Sequence, residues 1–136
     1  MKRFIQRATF GVLLIAVIVS VLTSLPTWFD GHLGGYRLLG HMMASGVIVV
    51  ALPLYAILRW TDRLTAPAQR LVKLRRAEPI VFWGMVLFGF LTIGTMFVCM
   101  MPLASTLTMR ALVDLHGWLG AVLALAVAAN LASREQ

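Results

Sequence analysis

The sequence predicts an all-α integral membrane protein, folded as a four-helix up-down bundle with both termini in the cytoplasm. Three observations predict it: four apolar stretches are each long enough to cross a bilayer, their connections are short, and most basic residues fall on one side. Sixty per cent of the 136 residues are hydrophobic and 12% are charged, a balance typical of membrane proteins. We expect residues 1–136 to form a single transmembrane domain.

The boundaries of the four spans follow from proline and charged residues. The first span begins near Phe4 and stops before Pro26, and the second stops at Arg59. The third begins at Pro79, whose missing N–H costs nothing in a first helical turn, and ends before Pro102. Because no backbone group can be left unpaired in lipid, each span is expected to be a helix. The predicted spans are about 4–25, 36–58, 79–101 and 107–132.

The basic residues predict the orientation of the chain. Ten of the twelve lysines and arginines lie at the termini or between the second and third spans. Arg37 and Arg110 are the other two. Since cytoplasmic segments are enriched in basic residues, both termini are expected in the cytoplasm, and Arg37 and Arg110 on the outer side. The basic residues cluster between apolar runs, which indicates topology signals and a lipid environment. Nucleic acid is therefore not an expected partner.

Two histidines lie within the predicted spans, His41 in YRLLGHMMASG and His116 in RALVDLHGWLG. Both fall in the outer half of the bilayer, His41 roughly one to two turns and His116 roughly two to three turns from the outer surface. Polar rings in hydrocarbon are costly and usually mark a functional site. Two imidazoles at similar depth on separate helices suit the axial ligation of one haem iron. The alternative is that each histidine is a packing residue, hydrogen-bonded to a neighbouring helix.

Residues beside these histidines fit a haem site and also have simpler roles. Arg37 and Arg110 are placed to pair with haem propionates, or they act as interfacial anchors. Gly40 and Gly117 flank the histidines and would let a flat macrocycle approach the helix backbone, or they serve helix packing.

Other candidate residues leave several interpretations open. Asp114 is expected to orient His116, to pair with Arg110 one turn away, or to accept a proton from a quinol. His32 is expected to be a solvated loop residue, with a quinol site or partner docking as the alternative. A sulfur cluster at the outer end of the third span has ligands that suit cuprous copper, although such residues also fill membrane helices: Met96, Cys99, Met100 and Met101.

With GHMMASG in the second span and DLHGWLG in the fourth, the chain resembles the bacterial four-helix membrane cytochromes b. This group includes the cytochrome b subunits of formate dehydrogenases and nickel–iron hydrogenases. The resemblance implies two haems stacked across the membrane, with a second histidine further along the fourth span. Here that position is Asn130, and Tyr55 stands at the corresponding position of the second span. The sequence therefore predicts one haem b, near the outer face.

The resemblance also implies a function in a bacterial inner membrane. A single-haem carrier is expected to pass electrons between a quinol pool and a c-type cytochrome, or to act within a larger respiratory or photosynthetic complex. Enzyme activity would belong to such an assembly. One alternative is a non-catalytic integral subunit that packs against partner helices without its own cofactor. Another is a carrier of copper or a small solute.

Overall fold

The computed structural model describes residues 2–30, 34–64, 77–101 and 105–135, without the side chains of residues 2, 28, 30, 77, 78, 134 and 135. Every regular element within these ranges is an α-helix. The helices are α1 (Lys2–Ser24), α2 (Thr27–Asp30), α3 (Gly35–Leu64), α4 (Ala77–Met100) and α5 (Thr106–Glu135).

All the helices that the structure describes agree with the all-α prediction, and four of them are long and apolar enough to cross a membrane, which supports a multi-pass membrane protein. The ends of the helices agree with the ends of the predicted spans to within a few residues, with one exception. The exception is the end of the second span, because α3 continues past Arg59 to Leu64. A helix closes its backbone hydrogen bonds regardless of side-chain polarity, so the arginine did not end it. The short helix α2 was not predicted.

Local sequence explains where the helices begin and end. Pro26 follows the last turn of α1, and because proline has no backbone N–H to donate, it does not continue that helix. Gly35 opens α3 with a φ of 58°, in the left-handed region that glycine adopts at little cost. Ser105 precedes α5, and its Oγ accepts a hydrogen bond from the Thr108 backbone N–H at 3.3 Å. Ser105 is therefore the N-cap of α5.

The chain forms two compact units, residues 1–74 and 75–136. In the first unit α1 packs against α3 as an antiparallel hairpin. Two contacts fix this direction, because Phe10 lies against Tyr55 while Thr23, later in α1, contacts His41, earlier in α3. Its buried apolar core consists of Phe10, Leu13, Ala16, Val17, Ala44, Ile48, Ala51, Leu52 and Tyr55.

In the second unit α4 packs against α5. Asn130 is the polar residue of its buried set and is only 1% exposed. The apolar members are Phe82, Met85, Val86, Leu123 and Val127. Most apolar side chains of both units lie outside these two cores, as expected for helices that face lipid or other helices. The single four-helix bundle stays a prediction.

Candidate functional site: two helix-held histidines

His41 is held against α1 by its Nδ1 atom. The ring is half-buried, and Nδ1 lies 3.2 Å from the Ser20 carbonyl oxygen. The hydroxyl oxygen of Thr23 is 3.3 Å from the same nitrogen. His41 therefore meets two oxygen atoms on the last two turns of the neighbouring helix.

These neighbours determine which nitrogen of His41 carries the proton. A carbonyl oxygen can only accept, so the bond to Ser20 requires a proton on Nδ1. The Thr23 hydroxyl donates to the Val19 carbonyl at 2.8 Å, and the Ser20 carbonyl lies 3.0 Å from it. The lone pairs of the Thr23 hydroxyl oxygen therefore remain to accept a hydrogen bond from Nδ1 of His41. A neutral ring protonated at Nδ1 carries its lone pair on Nε2, so Nε2 is the ring nitrogen with the chemistry of a metal ligand.

His116 is held in the same way in the second hairpin. Its half-buried ring places Nδ1 3.1 Å from the Thr92 carbonyl oxygen and 3.2 Å from the Thr95 hydroxyl. The Thr95 hydroxyl lies 3.0 Å from the Leu91 carbonyl and 2.9 Å from that of Thr92. The same argument puts the proton of His116 on Nδ1 and the lone pair on Nε2.

The two hairpins repeat one another at these positions. Thr92 and Thr95 follow Ser20 and Thr23 by 72 positions, and His116 follows His41 by 75. The same two offsets relate residues of the two buried cores. The corresponding pairs are Phe10 and Phe82, Leu13 and Met85, Ile48 and Leu123, Leu52 and Val127, and Tyr55 and Asn130. The hairpins are therefore structural repeats, although the sequence shows no repeat that is evident by residue identity.

The structure separates the roles of the two flanking glycines. A Cβ atom added at Gly40 would lie 3.4 Å from Cγ2 of Thr23, so this glycine faces α1 and permits close packing beside His41. A Cβ at Gly117 would meet no atom within 4 Å. Gly117 is exposed on its hairpin and is open to a flat ligand or another helix.

The charged candidates lie on exposed surfaces of their hairpins. Arg37 is exposed one turn before His41 on α3, and Arg110 and Asp114 are exposed on α5. The side chains of Arg110 and Asp114 form no hydrogen bond or ion pair within the described ranges, so the expected pairing of these two is not observed there. His32 lies outside the described residues.

The residues of the predicted sulfur cluster at the end of the third span divide by exposure. Cys99 and Met96 are half-buried, whereas Met100 and Met101 are exposed. Within the ranges that the structure describes, no three or more residues among His, Cys, Asp and Glu are grouped to hold a metal ion. Haem differs from such an ion because one axial ligand on each side of the iron is sufficient.

Neither the family models, the curated proteins nor the solved structures that were compared with this chain contain a match. The sequence identified both histidines but missed Ser20, Thr23, Thr92 and Thr95. The sequence does contain a signal for these residues. Near the end of both α1 and α4, a Ser or Thr is followed three positions later by a Thr.

Proposed function

We propose that the chain is a membrane b-type cytochrome that carries one haem, with His41 and His116 as the two axial ligands. One observation carries the proposal. Each hairpin holds a single histidine through Nδ1, against a backbone carbonyl and a threonine hydroxyl, so that Nε2 keeps the lone pair. Histidines that bind metals almost always donate their other ring N–H to such an acceptor.

The donor set fits haem iron. Two neutral imidazoles are strong-field ligands, and His41 and His116 would hold the iron, one from each hairpin. The bound haem would supply one-electron exchange between its ferric and ferrous states. The protein would supply the two nitrogen ligands and fix their tautomer and orientation, which would leave no position on the iron for an exogenous ligand.

Further residues complete the proposed site. Arg37 and Arg110 are the two basic residues of the outer side, and their guanidinium groups suit the propionates of a haem near that face. Gly117 has open space where its Cβ would be, which suits the approach of a flat macrocycle. Gly40 contributes indirectly, because it allows Thr23 to lie close to α3.

The single haem follows from the residues that replace a second pair of histidines. Tyr55 and Asn130 occupy corresponding positions of α3 and α5, and both are almost completely buried within their hairpins. Neither side chain is a histidine or methionine, the usual ligands of electron-transfer haems. Electron exchange would therefore be confined to the outer half of the membrane.

The proposed setting is the inner membrane of a bacterium. The positive-inside rule supports an up-down bundle with both termini in the cytoplasm, because ten of the twelve basic residues then lie on the inner side. A haem near the outer face would exchange electrons between a quinol pool and a c-type cytochrome, or with other subunits of a respiratory or photosynthetic complex.

The haem content of the purified full-length protein tests this function. We expect one haem b per chain and a low-spin reduced-minus-oxidised absorption spectrum from haem-replete cells. A colourless protein that remains folded would contradict the proposal and favour a subunit without a cofactor. Metal analysis of the same sample separates the copper-carrier alternative, which predicts bound copper instead of iron.

A further inference from the structure

We propose that Thr23 and Thr95 are positioning residues, one for each axial histidine, and that together they lower the reduction potential of the haem. This inference rests on the proposed function. It concerns a property of the site that ligation by His41 and His116 alone does not determine.

Both threonine hydroxyls direct their protons away from the histidines. Thr23 Oγ1 lies 2.8 Å from the Val19 carbonyl, and Thr95 Oγ1 lies 3.0 Å from the Leu91 carbonyl. Each hydroxyl has one proton, and a carbonyl of its own helix takes it. Towards the histidine the hydroxyl therefore presents lone pairs, at 3.3 Å from His41 Nδ1 and 3.2 Å from His116 Nδ1.

The acceptors at Nδ1 affect Nε2, the nitrogen that would bind the iron. Each Nδ1–H is shared between two acceptors, a carbonyl and a hydroxyl oxygen. Acceptors on this proton increase the electron density on Nε2. A ligand that donates more electron density stabilises ferric iron more than ferrous iron, which lowers the reduction potential. Removal of the threonine oxygen should therefore raise that potential.

The arrangement of acceptors around Nδ1 is the same in both hairpins. Each Nδ1 atom meets one backbone carbonyl and one threonine hydroxyl, and the residues that form these contacts in the two hairpins correspond at offsets of 72 and 75 positions. The two threonines contact different rings and share no hydrogen-bond partner among these contacts. Their effects on the potential should therefore have the same sign and should add in a double variant.

The chain offers control hydroxyls that lie away from both histidines. Thr9 is on α1, fourteen positions before Thr23, and its hydroxyl donates to the Ile5 carbonyl at 2.9 Å. Ser133 is on α5, seventeen positions after His116, and its hydroxyl donates to the Asn130 carbonyl at 2.9 Å. Thr9→Val and Ser133→Ala therefore each remove a helix-bonded hydroxyl that contacts neither ring.

The test is a potentiometric titration of purified, haem-loaded full-length variants. Thr23→Val and Thr95→Val should each raise the midpoint potential, and the double variant should raise it by the sum. Haem retention should weaken by about 10–100-fold in each. Thr9→Val and Ser133→Ala should behave like the wild type, and Thr23→Ser and Thr95→Ser should restore its potential.

A second measurement covers variants that bind no haem. In ¹⁵N-histidine NMR spectra of the haem-free protein, His41 and His116 should be protonated at Nδ1, and Thr→Val should reduce that fraction for the adjacent ring alone. Unchanged potentials and unchanged tautomers in both Thr→Val variants would overturn the inference, as would equal shifts in the controls. Failure of the proposed function looks different, because the wild-type protein would then contain no haem.

Discussion

The Nδ1 atom of His116 lies 3.1 Å from the carbonyl oxygen of Thr92 on the neighbouring helix. Because a carbonyl cannot donate, this contact places the ring proton on Nδ1 and the lone pair on Nε2. His41 makes the corresponding contact with Ser20 in the other hairpin. A membrane helix has few groups that can orient an imidazole, and here the backbone of a packed helix serves in both cases.

The orientation of the chain can be tested with single cysteines. In a Cys99→Ala background, Thr106→Cys at the exposed start of α5 should react with a membrane-impermeant maleimide added to intact cells. Gln136→Cys should react only after permeabilisation, since the basic inner segments hold the C-terminus in the cytoplasm. Labelling of Gln136→Cys in intact cells would contradict the predicted topology.

The two compact units predict that the chain can be divided. Each hairpin has its own buried core, so fragments 1–74 and 75–136, expressed together, should insert and reconstitute the haem spectrum. Either fragment alone should give no low-spin bis-histidine spectrum, because each contains one of the two ligands. The measurement is the difference spectrum of the purified fragments. Reconstitution that fails although both fragments accumulate would count against independent hairpins.

The two glycines should respond differently to a larger side chain. Gly40→Val places atoms against Thr23, and overpacking of this kind costs about 1–3 kcal/mol. Gly117→Val should leave hairpin stability unchanged but reduce haem retention, since its Cβ meets no protein atom within 4 Å. Thermal unfolding and haem content separate the two effects. Gly94→Val, which is equally open, is the control, and a haem loss there as large as in Gly117→Val would refute the assignment.

Tyr55 is expected to stabilise the first hairpin without binding haem. Its ring is 0% exposed and its centroid lies 5.3 Å from that of Phe10. Tyr55→Ala should destabilise the hairpin by about 3–5 kcal/mol, the usual cost of removing a buried aromatic ring. Tyr55→Phe keeps the ring and should retain both the haem and the wavelength of its absorption maximum. A loss of haem in Tyr55→Phe would instead give the hydroxyl a role at a haem site.

The sequence was sufficient to predict the main helices because each is a long apolar run bounded by proline or charge. It was insufficient for the end of α3, where Arg59 and Arg63 look like the start of a loop but lie in a continuing helix. Both arginines are compatible with helix propensity, and charge alone does not break backbone hydrogen bonds.

For the site, the sequence identified the histidines because polar rings are rare in apolar runs. It could not identify Ser20 and Thr92 as their partners, since the contact atom is a backbone carbonyl, which every residue carries. The repeat was concealed for a related reason. Corresponding buried positions hold side chains as different as Tyr55 and Asn130, so only the contacts reveal the equivalence.

The most direct test of haem ligation is the absorption spectrum of three histidine variants of the full-length protein. His41→Ala and His116→Ala should each lose the low-spin spectrum, because each removes one of the two axial ligands. His32→Ala should keep that spectrum, since this histidine belongs to neither span. A wild-type spectrum in His41→Ala or His116→Ala, at unchanged haem content, would contradict ligation by that residue.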